Sequence, residues 1–224
     1  MKKLSIIAAC ALTVGLLGGC GNKLDAAAYT KALLDNSYKN DSTDFVSMKI
    51  GTEEEAADLY EQGLDGEVNA ILSEFAAYGA SVTDEQTEKF RQIMADILAG
   101  AKYTVGEVEK QDDTYVVTIT YEQMQVFTPA YEAYMDGINK MGEEWEAAAA
   151  AGEATPSTDE AINLMIDLMT DSFADAVQSA TYAEPQTTTF RIELVNNVYT
   201  PNQSDIVNLE TVLFDIEAAA NITQ

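Results

Sequence analysis

Histidine is absent from this 224-residue sequence, which removes imidazole as general base, as metal ligand and as a switch near neutral pH. Cysteine is nearly absent, with Cys10 and Cys20 alone. Arginine is confined to Arg91 and Arg191, and 12 basic residues face 38 acidic ones, giving a formal charge of 12 − 38 = −26. A chain so charged cannot present the basic surface that holds a phosphate backbone, so no nucleic-acid partner is expected. No phosphate-cradling Gly-rich loop, dinucleotide fingerprint or Ser-x-x-Lys motif occurs, and no cofactor is expected. Apolar material is not lacking. Hydrophobic residues make up 47% of the chain, enough for a packed core and far more than an acidic disordered tail carries.

The one long apolar run lies at the N-terminus, where Lys2 and Lys3 precede Leu4 to Leu17. That run is short for a membrane span and has the order of a secretory leader. It ends in Leu17-Gly18-Gly19-Cys20, which resembles the bacterial lipobox, where a diacylglyceryl group joins the cysteine and the leader is cut away. The expectation is a signal peptide over 1–19, a lipidated Cys20 with a short tether over 20–24, and one domain over 25–224. Cleavage would also discard Cys10 and leave no free thiol for a disulfide, a nucleophile or a metal site. Two or more acyl chains hold a protein firmly, since each buried CH₂ contributes about 0.8 kcal/mol. The partner expected first is therefore the membrane, reached through the lipid, with the body extracytoplasmic on the bacterial cell membrane.

Beyond the tether the apolar period is helical. Asp25 precedes a helix reaching Lys39, and 41–51 reads as a connector with one helical turn. Thr52 with Glu55 and Thr83 with Gln86 form capping boxes for helices ending near Tyr78 and Gly100. The period then drops to two: a weaker strand over Lys102–Glu109, a Gln111-Asp112-Asp113 turn, and an alternating strand through Tyr115, Val117, Ile119 and Tyr121. Thr128-Pro129 opens a long helix, with proline read at its first position, that stops at Gly152; Ser157 with Glu160 starts its antiparallel neighbour. Phe190, Ile192 and Leu194 alternate again before an Asn196-Asn197 hairpin turn and Val198-Tyr199, and a last helix is read from Ser204 to Ala219. The class is α+β, mostly helical, with one small antiparallel sheet built from hairpins. Val126-Phe127-Thr128-Pro129 and Val198-Tyr199-Thr200-Pro201 echo each other, which shared turn chemistry explains without duplication.

Leu33-Leu34-Asp35-Asn36-Ser37-Tyr38, Thr52 to Leu64 and Tyr182 to Val195 running into Val198-Tyr199 resemble a group of Gram-positive bacterial lipoproteins of unassigned function. The resemblance implies a cystatin-like or NTF2-like helix-and-sheet body behind the lipobox, and no mechanism.

With imidazole and thiol gone, carboxylates are the available reagents. A protonated and an ionised carboxyl can hydrolyse glycosides together, but dozens of pairs are conceivable and most acids fall on polar helix faces. Asp167, Asp171 and Asp175 stand at i, i+4, i+8, with Asn163 and Glu160 extending the ridge, and such a ridge could collect Ca²⁺ or Mg²⁺. No Asp-x-Asp-x-Asp-Gly loop accompanies it, so no metal is expected, and these three are only weak candidates. Tyr131, Tyr134 and Trp145 could form an aromatic platform, although with Met135, Ile138 and Met141 they also read as the core stripe of one helix. Tyr115, Tyr121, Phe190 and Ile192 are the ligand-binding candidates if the sheet leaves a concave face uncovered.

Taken together the residues point to a non-catalytic binding or interaction module for a protein, peptide or small molecule. The alternatives are a carboxylate hydrolase of a cell-surface polymer, which requires two inward-facing acids with one desolvated, and a structural assembly subunit.

Overall fold

The computed structural model describes residues 16–17, 24–77 and 81–218. Cys20, most of the leader and tether, and the helix end read at Tyr78 lie outside the described residues. Leu16–Leu17 forms β1, followed by helices α1 (Ala26–Lys39), α2 (Thr43–Ser47), α3 (Glu53–Ala77) and α4 (Asp84–Ala99). Strands β2 (Lys102–Gln111), β3 (Thr114–Glu122) and β4 (Met124–Gln125) lead into α5 (Phe127–Ala151) and α6 (Thr158–Gln178). β5 (Thr181–Tyr182), β6 (Gln186–Val195), β7 (Val198–Pro201) and α7 (Gln203–Leu213) follow. This is the expected α+β class.

The boundaries have local causes. Thr83 and Ser157 close capping boxes with Gln86 and Glu160, and Asp25 accepts the Ala28 N–H at 3.0 Å. Gly152 ends α5 in the left-handed region at φ 73°, where a Cβ would be strained. Asn196 and Asn197 both take positive φ, the requirement of a tight two-residue hairpin turn.

The main sheet is antiparallel in the order β1-β7-β6-β3-β2, and β4 pairs with β5 separately. Alternation sorts its two faces. Tyr115, Val117, Ile119 and Tyr121 of β3 and Phe190 and Ile192 of β6 point into the core, whereas Thr118, Thr120, Thr187 and Thr189 face outward. Helices α1 and α7 pack on the inward face, and α3, α4 and α6 close the core behind α1. An aromatic cluster binds these layers, with Phe173 meeting Phe90, Phe127 and Tyr131 edge-on at 5.5–5.7 Å between centroids.

Two boundaries differ from those read in the sequence. α5 begins at Phe127, so Pro129 is its third residue, because a side chain from far along the chain caps this helix. α7 ends at Leu213 because Phe214 leaves the helix to bridge Met124 and Asp215 turns toward α5; residues 216–218 are helical again, and the helix end read at Ala219 lies outside the described residues.

Candidate functional site

Two carboxyls inside the apolar interior are the unusual chemistry of this fold. Glu67 lies on the α3 stripe between Leu64 and Val68, and Glu210 on the α7 stripe between Leu209 and Leu213. Both are buried, 7% and 6% exposed. They border one cavity together with Met94, Leu98, Phe127 and Phe214. Burial disfavours the Glu67 anion, the charge of Glu210 opposes it further, and its pKa is pushed up from 4.5 to about 8. Glu67 is therefore a neutral acid at pH 7, the state that proton donation requires.

The cavity decides what such a pair can do. Its volume is about 20 Å³, close to the minimum that holds one water and far below the 300 Å³ or more of a typical ligand pocket. A sugar ring has no room beside these acids. A second opening of about 400 Å³ lies on the surface where β6 and β7 meet α7, lined by Glu193, Val195, Thr200 and Pro201 among others. Beside it Arg191 is paired with Asp205 at 2.7 Å and bonded to Asn202, so its charge is already neutralised.

Two further acids are buried for structural ends. Burial opposes ionisation of Asp35, but bonds from Lys31 at 2.5 Å, Tyr103 Oη at 2.6 Å and Lys39 at 3.1 Å outweigh it, and its pKa falls below the usual value. That cluster ties α1 to the start of β2. Asp215 accepts the backbone N–H groups of Val126, Phe127 and Thr128 at 2.7–2.9 Å and so caps α5.

Comparison with known proteins adds the fold alone. No family model matches the chain, and no curated protein sequence matches it. Among solved structures it is similar to the crystal structure of the candidate lipoprotein YcdA from Bacillus subtilis, with a TM-score of 0.50 and 14% sequence identity. The match covers 84% of this chain and 54% of that one, so the chain spans about half the length of that structure.

The residues singled out in the sequence are dispersed. Phe190 and Ile192 are fully buried, and Tyr115 and Tyr121 each 7% exposed. α1 and α7 cover this face of the sheet, and these four side chains lie in the core. Asp167 and Asp171 reach Gln86 and Lys89 of α4 at 3.0 and 2.8 Å, so α4 relieves part of the ridge's repulsion, and Asp175 is exposed. Among the described residues no three His, Cys, Asp or Glu side chains gather to hold an ion. Tyr131 is core and Tyr134 packs half-buried against it, whereas Trp145 is only partly covered, farther along α5 where the helix runs beyond the body. Glu67 and Glu210 were legible only by position: each is a carboxyl at a helical-repeat point of an apolar stripe, where burial is the default.

Proposed function

We propose that the chain is a lipid-anchored extracytoplasmic protein whose folded body binds a partner without turning it over. The observation that carries this reading is Leu17-Gly18-Gly19-Cys20 behind a basic start and an apolar run. The fold likeness to a candidate lipoprotein supports it. Among the described residues no helix is long and apolar enough to cross a membrane, so the lipid would be the attachment. Ala26, which opens α1, follows Cys20 by six residues, a span of at most about 20 Å at ~3.4 Å per extended residue. The water-sized cavity beside Glu67 and Glu210 favours binding over hydrolysis, since a polymer-cleaving pair needs an open cleft between its acids.

Mass spectrometry of chain extracted from membranes of a bacterial host tests the anchor. The expected N-terminal peptide begins at Cys20 and carries diacylglyceryl on sulfur, and Cys20→Ala shifts the protein out of the membrane fraction. An unmodified chain beginning at Met1 and recovered from the cytosol overturns the reading.

A further inference from the structure

The α5–α6 hairpin outgrows the body. α5 is 25 residues long, yet its buried side chains are Phe127, Ala130 and Tyr131 in its first turns. α6 buries nothing before Ile166. Residues 132–165 therefore form an arm of two helices in which each has the other as its main neighbour. Two helices cannot enclose their own apolar seam. Ile138, Met141 and Trp145 on α5 and Ile162 and Met165 on α6 stay partly exposed, and Met135 and Leu164 are 36% and 46% exposed. Three of these are methionines, whose flexible thioethers adapt to a partner's shape.

The arm's charge says what can cover that seam. Residues 132–164 contain eight acids and one base, Lys140. A second copy would bring the same negative charge, and an anionic bilayer would repel the arm. A helix with basic flanks satisfies both the seam and the charge. The root of the arm also lies toward the opposite end of β3 from the first turn of α1. Tyr29 in the first turn of α1 donates to the Tyr199 carbonyl, and Tyr199 packs on Tyr115, whereas α5 starts just after Tyr121. Tyr115 and Tyr121 are about 20 Å apart along β3 at ~3.4 Å per residue.

We propose that the distal α5–α6 arm docks a cationic amphipathic helix of a partner polypeptide, completing a three-helix bundle; this rests on the reading of the chain as a non-catalytic binding protein. Trp145, the sole tryptophan, lies in the arm and reports directly. The full lipidated chain in non-ionic detergent is titrated with a synthetic Leu/Lys peptide of helical apolar spacing. The expected result is a saturable blue shift of Trp145 emission that weakens with salt. Leu164→Lys should lower the affinity about tenfold, a loss of ~1.4 kcal/mol. Val108→Lys makes the same charge change at an exposed apolar residue on the body and should leave the affinity as it was. No shift with the peptide, equal weakening by both variants, an equal shift with a Leu/Glu peptide, or a concentration-dependent shift without peptide each overturn the proposal. Lipidation is read separately by mass, so a lipidated chain whose Trp145 ignores the peptide refutes the arm and leaves the anchor standing.

Discussion

The Asp215 carboxylate accepts the Phe127 backbone N–H at 2.7 Å across 88 residues of sequence. The same oxygen takes Val126 N–H and the other takes Thr128 N–H, so three donors at the start of α5 are met by one buried anion from beyond α7. Helix starts leave such donors unmet, and buried ones cost ~1–3 kcal/mol each when orphaned. Asp215→Ala should therefore cost about 3 kcal/mol in urea unfolding, and Asp215→Asn, which keeps one carbonyl acceptor, about half of that. A loss below ~1 kcal/mol for the alanine variant would mean that the root of the arm is held by packing alone.

Glu67 makes stability fall toward alkaline pH. Its folded pKa is raised to about 8 from 4.5, so between these values the folded state holds a proton that the unfolded state has released. Stability contributed by this group is complete below about 4.5 and is lost as pH rises through about 8. The slope reaches ~1.4 kcal/mol per pH unit for one full proton. Glu67→Gln should flatten that limb, and its advantage over the parent should grow from pH 5 to pH 8 in thermal melts. Parallel pH profiles for the two proteins would show that Glu67 ionises freely.

Much of the fold follows from local signals. The capping boxes at Thr83 and Ser157, the asparagine turn at Asn196-Asn197 and the alternation through Tyr115 to Tyr121 stand where the sequence places them, because each depends on neighbours within a few residues. What local signals do not carry is the partner across the fold. The cap on Phe127 comes from Asp215, and among the described residues of α5 full burial ends at Tyr131, with Tyr134 half-covered against the core. The same limit hid the buried acids. Periodicity places Glu67 and Glu210 on inward stripes, but that they border one cavity is set by how α3 and α7 pack.

Asp35 acts with the opposite sign to Glu67. Lys31, Tyr103 and Lys39 hold its folded pKa below the usual value despite burial, so its contribution is present above the unfolded pKa and is lost as pH falls through the folded one. Acid unfolding of the parent should begin below ~pH 4, where unfolded aspartate starts to take up protons. Asp35→Asn should weaken that acid limb while destabilising the protein at pH 7 by about 1–2 kcal/mol, since the buried acceptor of Tyr103 loses its charge and two half-exposed lysines lose their partner. Tyr103→Phe removes one bond to a charged acceptor and should cost ~1.5–3 kcal/mol. If Asp35→Asn left both the acid midpoint and the neutral stability intact, the cluster would be a bystander.

The aspartate ridge of α6 separates an intrahelical charge problem from an ion site. Asp167 and Asp171 are each met by α4, through Gln86 and Lys89, although the Lys89–Asp171 pair is exposed and worth under ~1 kcal/mol. A cation held by the ridge would stabilise the fold by mass action, ~2.7 kcal/mol at a hundredfold excess over its Kd. Helical carboxylates at this spacing do not wrap an ion as a loop does, so saturating Ca²⁺ or Mg²⁺ should raise the melting temperature no more than the same ionic strength of NaCl. Lys89→Glu should then cost ~1 kcal/mol or less at low salt, with the deficit shrinking as NaCl is added. A divalent-specific rise in melting temperature that Asp171→Asn removes would instead identify the ridge as a cation site.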